Sequence, residues 1–201
     1  MSKSDGQNKA LIIAKNKLCD IDLHKRLKLL GFNGFQNKIM KLKLFDNLAV
    51  LHEEDLSLRK EGSGENLRID DTILFFHYLL FDGVSYQSDQ FISFRDLPGG
   101  RFYWDTFLDR SVVPLVRRTG NDLGLLKKNL SRFDWEPMIC QDFGAKIHTI
   151  GNADVLLTYQ LGDDEFPPTA NILFAELVRH VYSTEDVAVM ASRICYGLYQ
   201  V

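Results

Sequence analysis

Cysteine is scarce in this chain of 201 residues: Cys19, Cys140 and Cys195 stand far apart and form no CxxC pair. An odd, scattered set builds neither a disulfide framework nor a four-cysteine cluster site, so the reading is structural thiols and no iron-sulfur or zinc cysteine motif. Long apolar runs are missing as well. Nothing approaches the roughly 18 residues of a membrane span, and Met1 to Asn8 is polar where a signal peptide would carry its apolar segment. The expectation is a cytoplasmic protein with no membrane partner. Charge of one sign is also lacking: a formal net charge of −3 and a pI near 5.9 give no reason to expect nucleic acid. Absent too are GxGxxG, GxxxxGKS or GxxxxGKT, HExxH, GxSxG and an EF-hand loop, so the chemistries that those motifs serve drop out.

What is present is ordinary for a globular chain, with 45% hydrophobic and 25% charged residues. That balance excludes a disordered or collagenous polymer, and the length supports a sizeable core without staples. Charge is uneven along the chain. Residues 1–60 hold 12 Lys and Arg against 7 Asp and Glu (+5), whereas residues 61–201 hold 12 against 20 (−8). The basic part reads as solvated lysine faces. Lys60 to Asn66 has no hydrophobic member and reads as a loop or short linker between the basic part, 1–60, and a body, 67–201, of one domain.

Residues 7–19 and 20–30 predict a helical hairpin, with Asp20 as cap and Gly31 as terminator. Alternation from Lys38 to Leu44, then Leu48 to His52 and Leu56 to Arg59, predicts short antiparallel strands with the lysines toward water. Asp70 to Thr72 caps a helix from Ile73 to Phe81, apolar except at His77 and therefore covered on all sides. Gln90 to Phe94 reads as a strand, Leu97-Pro98-Gly99-Gly100 as a type II turn, and Phe102 as the start of an aromatic-rich helix. Helices follow from Pro114 and from Asn121 or Asp122. Gly151-Asn152 joins residues 143–150 and 153–161 in a hairpin with Val155, Leu157, Tyr159 and Leu161 on one side. A helix is expected over Ala170 to Tyr182. The last begins with a Ser183 to Asp186 capping pattern and buries Val187, Met190, Ala191, Ile194, Cys195 and Leu198. Helices and short antiparallel strands in separate runs give an α+β fold, an antiparallel sheet of strands and hairpins packed with several helices.

Three constellations could carry chemistry. In Gly162 to Pro168 the adjacent carboxylates Asp163, Asp164 and Glu165 repel one another, which can raise one pKa toward general-acid use or hold a hard cation at Asp163 and Asp164. Consecutive side chains point apart, so an exposed acidic turn competes with both ideas. In Phe94 to Trp104, two glycines expose backbone N–H groups between Arg95 and Arg101, and Arg110 follows on the same helix, an arrangement that favours anions. A plain proline-glycine turn with solvated arginines is the bland counterpart. His77 is the one ionisable group on the apolar central helix, either a satisfied core histidine or a general base or ligand at a pocket floor.

Taken together, His77-Tyr78-Leu79, Ser93 to Gly100 with Phe102, Tyr103 and Phe107, and Gly162 to Pro167 with Leu173-Phe174 and Glu185-Asp186 resemble a family known as domain of unknown function 3786, over about residues 70–198. The resemblance implies a cytoplasmic domain of anaerobic bacteria and archaea, in settings of corrinoid, iron-sulfur or one-carbon metabolism. It brings no activity. It places His77, Arg95, Gly99, Gly100, Tyr103, Asp164 and Glu165 in a candidate shared site. The zinc-finger or iron-sulfur label of some relatives does not transfer, because the three cysteines here supply no such motif.

Three readings follow. One is an accessory binding module whose Arg95–Tyr103 turn, with Arg110, and Asp163–Glu165 turn line a cleft for an anionic small molecule or a partner protein. Another is an acid/base enzyme, hydrolase or transferase, using Asp164 or Glu165 with His77 and an arginine. In the third the two turns pair with each other and serve structure alone. The residues name no cofactor, no reaction and no oligomeric state.

Overall fold

A computed structural model describes residues 3–200; Met1 and Ser2 of the polar N-terminal stretch lie outside it, as does Val201. The fold is α+β, with a three-stranded and a five-stranded antiparallel sheet. The chain divides into two compact units, Met1–Tyr86 and Gln87–Val201. Among the described residues no helix is long and apolar enough to cross a membrane.

The first unit opens with α1 (Lys3–Cys19) and α2 (Leu23–Leu29). Asp22, not Asp20, caps α2: its carboxylate accepts from the Lys25 N–H at 3.0 Å. Gly31 ends the helix at φ +79, where the Phe32 N–H reaches back to the Leu27 carbonyl. The sheet follows as β1 (Ile39–Leu44), β2 (Asn47–His52) and β3 (Leu58–Lys60), in that order. Met40 and Leu44 point inward while Lys41 and Lys43 face water, as the alternation predicts. The stretch 60–66 closes a turn within this unit, because the Lys60 N–H donates to the Glu65 carbonyl and Arg59 bridges to Asn66. Helix α3 (Ile69–Leu79) packs against α1 and begins four residues earlier than the apolar run suggests, with Asp70 and Asp71 inside its first turn. It is buried nearly all round, and Phe32 sets its ring edge-on to Phe75 and Tyr78.

In the second unit β4 (Phe91–Ser93), β5 (Asp134–Pro137), β6 (Phe143–His148), β7 (Val155–Gln160) and β8 (Thr169–Ala175) form a sheet in the order β4-β8-β7-β6-β5. Ala145, Ile147, Val155, Leu157, Tyr159 and Phe174 are fully buried and share one face through the register. The helices are α4 (Trp104–Arg110), α5 (Val112–Thr119), α6 (Leu123–Leu130), α7 (Val178–Val181) and α8 (Thr184–Tyr199). Of these, α8 packs on α5 and α6, and α5 on β8. The expected capping box is in place: Ser183 and Asp186 satisfy each other's N–H groups, and the whole predicted stripe of α8 is buried.

The helix expected over Ala170–Tyr182 is a correction. Its first part, Ala170 to Ala175, belongs to β8, with only the four-residue α7 after it. Thr169 to Phe174 pairs with β7 throughout, and Leu173 to Ala175 pairs with β4 on the other edge. The apolar part of β8, Ile172 to Ala175, is too short for periodicity to separate a buried strand from a stretch of helix. Strand β5 carried no sequence signal strong enough to predict it.

Candidate functional site

The proline-glycine turn is built as the residues require. The Gly100 N–H donates to the Leu97 carbonyl at 2.9 Å, and Gly99, in the third position, takes φ +73. A Cβ on Gly100 would sit 1.9 Å from the Phe94 carbonyl oxygen, so this backbone passes where no side chain fits. Upstream, Phe94–Asp96 forms one 3-10 turn whose N-terminus is closed by a capping box: Ser93 Oγ accepts from the Arg95 N–H and the Asp96 carboxylate from the Ser93 N–H. Thr184, the first residue of α8, donates its hydroxyl to the Pro98 carbonyl at 2.7 Å and ties the turn to that helix.

Behind the turn stands an aromatic stack. Phe94 lies flat on Phe107 at 4.1 Å, Trp104 stacks on Phe107 at 5.4 Å, and Phe107 meets Phe174 of β8 edge-on. Phe94 and Phe107 are buried, which makes them the floor of a cleft of about 390 Å³. Its other lining residues are Tyr103, Thr106 and Arg110 of the α4 segment and Thr184, Glu185 and Ala188 of α8. Among the described residues Arg110 and Glu185 form no ion pair with each other or with any other group. The cleft therefore presents an apolar floor, one cation, one anion and hydroxyl groups.

Of the residues expected to bind a ligand, Tyr103 and Arg110 line this cleft. Gly99 and Gly100 shape its frame. Arg95 does not enter it: its guanidinium lies 4.2 Å from the centre of the Trp104 ring, in a cation–π contact outside the lining. The carboxylate that faces Arg110's cleft is Glu185, which the sequence marked only as a helix-start residue within the family-like motif. Nothing in the spacing of Arg110 and Glu185 reveals that they share a cavity, since seventy-five positions and strands β5 to β8 separate them. Thr106 went unmarked for the same reason.

The acidic turn does not line this cleft. Its Gly162 is held at both backbone groups by the Asn121 amide, at 2.8 and 3.0 Å, in the joint between α5 and α6. Asp163 Oδ1 accepts from the N–H groups of Phe166 and Glu165 at 2.8 and 2.9 Å, and these bonds hold its carboxyl below the usual range. Asp163 is thus spent on its own loop. Asp164 and Glu165 are exposed, and among the described residues no ion pair joins either to Arg95, Arg101 or Arg110. The two turns do not neutralise each other.

His77 lies in the first unit, on α3, where it is half-buried; the carboxylate that α3 buries completely is Asp71. A second charged group that the sequence did not reveal lies on the sheet face opposite the core. Lys146 Nζ contacts Glu136 at 3.0 Å and the buried Asp154 at 3.4 Å, and Asp154 also holds His148 Nδ1 at 2.9 Å. Burial pulls the Lys146 pKa down, but the two carboxylates outweigh it and leave the ammonium strengthened.

Cofactor chemistry needs donors that converge. Among the described residues no group of three or more His, Cys, Asp and Glu could hold a metal ion, and Cys19, Cys140 and Cys195 are free thiols, with Cys195 buried. These cysteines do not fit an iron-sulfur cluster. A family model described as Domain of unknown function (DUF3786) matches residues 22–196, which reaches further toward the N-terminus than the motifs over 70–198. No curated protein and no solved structure matches.

Proposed function

For a chain that belongs to the DUF3786 family, we propose the role of a small-molecule binding module in which the cleft between α4 and the start of α8 takes a ligand bearing a carboxylate or phosphate. The observation that carries this reading is Arg110, a guanidinium with no ion pair among the described residues, lining a 390 Å³ cleft floored by Phe94 and Phe107. A cleft of this size, mostly apolar with a few polar groups, is the usual setting for a small ligand. An unpaired guanidinium supplies the fork that grips an anion in two places.

Acid/base catalysis by the acidic turn has less behind it. Its first carboxylate is bound by its own backbone and held ionised, the opposite of a proton donor near neutral pH. The accessory role, the cytoplasmic setting and the link to corrinoid or one-carbon metabolism belong to the same proposal; the three free thiols support a reducing compartment. The test is thermal-shift screening against inorganic phosphate, nucleotides, short carboxylates and a corrinoid, with Arg110→Ala as control. Stabilisation by an anion that disappears in the variant is expected. Stabilisation that survives Arg110→Ala would place the ligand elsewhere, and no response to any anion would leave the cleft without this role.

A further inference from the structure

The second charge in the cleft narrows the ligand further. Arg110 projects from the last turn of α4 and Glu185 from the first turn of α8, and both line the same cavity without an ion pair between them. A dianion such as a phosphate monoester would gain from Arg110 but face repulsion from Glu185, unscreened where the ligand excludes water. A purely cationic ligand meets the converse problem. A ligand carrying both an anion and a cation satisfies both, and it leaves its remaining surface to Phe94, Phe107 and Ala188. Tyr103, half-exposed at the rim with Phe102 edge-on beside it, adds aromatic wall and a hydroxyl. Thr184 has already given its proton to Pro98, so its oxygen is free only to accept, which again suits an ammonium donor.

We infer that the cleft recognises a small zwitterion with an apolar side group, an amino acid or short peptide, its carboxylate on Arg110 and its ammonium on Glu185 and the Thr184 oxygen. This rests on the anion-binding reading above and adds the cationic end. The two charges also set the orientation of the ligand, with the side group directed toward the stacked floor.

The experiment uses the full chain carrying Trp135→Phe, which leaves Trp104, stacked on Phe107, as the single tryptophan reporter. Four probes of one skeleton are titrated: L-phenylalanine, 3-phenyllactate, 3-phenylpropanoate and 2-phenylethylamine. L-Phenylalanine is expected to bind roughly tenfold or more tightly than each of the others, since each lost charge-assisted contact removes about that factor. Glu185→Gln should bring L-phenylalanine down to the level of 3-phenyllactate, and Arg110→Ala down to that of 2-phenylethylamine. Equal binding of 3-phenylpropanoate and L-phenylalanine would overturn the zwitterion while leaving the anion reading intact. Binding of L-phenylalanine unaffected by Arg110→Ala, or no response to any of the four in fluorescence and thermal shift, would overturn the zwitterion, while the anion reading stands or falls separately on the phosphate, nucleotide and short-carboxylate screen. Both variants replace exposed side chains without ion pairs, so their unfolding temperatures should stay within a few degrees of the parent and certify the comparison.

Discussion

Replacing Gly100 by alanine should cost far more than replacing its neighbour Gly99, although both sit in one turn. At Gly100 the added Cβ would lie 1.9 Å from the Phe94 carbonyl oxygen, and real contacts of this kind do not fall below 3.0 Å, so backbone must move by about 1.1 Å. Phe94 has little room to yield, being 1% exposed and stacked on Phe107. Forced overpacking of this kind costs roughly 1–3 kcal/mol, and backbone against a fixed aromatic stack puts the expectation near ~3 kcal/mol. At Gly99 the nearest atoms are Tyr103 ring carbons at 3.9 Å, an ordinary contact, and the penalty is only that of an L residue at φ +73, about 1 kcal/mol. For a chain of this length each kcal/mol moves Tm by roughly 2–4 °C, so Gly100→Ala should lose roughly 6–12 °C and Gly99→Ala roughly 2–4 °C. Thermal unfolding followed by circular dichroism reads the difference, and Trp104 fluorescence shows whether the stack has shifted. Equal losses, or a larger loss at Gly99, would refute the claim that close backbone passage shapes this frame.

Phe107→Ala removes a ring that is 2% exposed and touches Phe94, Trp104 and Phe174, so urea unfolding should show a loss of about 3–5 kcal/mol, and Phe107→Leu a smaller one. Asp163 has a depressed folded pKa, so its contribution is full above the unfolded value of about 3.9 and is lost as pH falls through the folded value. The stability gap between the parent and Asp163→Asn, measured by denaturant midpoint, should therefore shrink on acidification from pH 6 to pH 2; a gap constant over that range would contradict the role given to its carboxylate. Iodoacetamide should label the exposed Cys19 in the native protein and reach Cys195 only in denaturant, because burial both covers that thiol and pushes its pKa up. Native labelling at Cys195, read by peptide mass, would show that α8 opens.

The parts of the fold that the sequence announces are those decided by local chemistry. Gly31 and Gly99 adopt the positive φ that their turns demand, Ser183 and Asp186 cap α8, and Val155, Leu157 and Tyr159 alternate into the core. Each of these follows from interactions within a few residues. Residues 169–175 show where local reading fails. Their apolar run suits a helix or a buried strand equally, and the choice rests on hydrogen bonds to β7 and β4, the latter with partners 80 to 84 positions away. Strand β5 exists only because β6 offers it an edge.

The candidate site divides in the same way. Its turn, its aromatic residues and Arg110 were legible as types in a pattern. The placement of Arg110 and Glu185 in one cleft, the diversion of Arg95 onto Trp104 and the commitment of Asp163 to its own loop were not. By itself the sequence determined the local geometry, the α+β class and the inventory of charges, because capping, turn and alternation rules act over short separations. Which charges face the same cleft, and which are already spent, only the tertiary structure decided, because such distances depend on how the strands and helices pack.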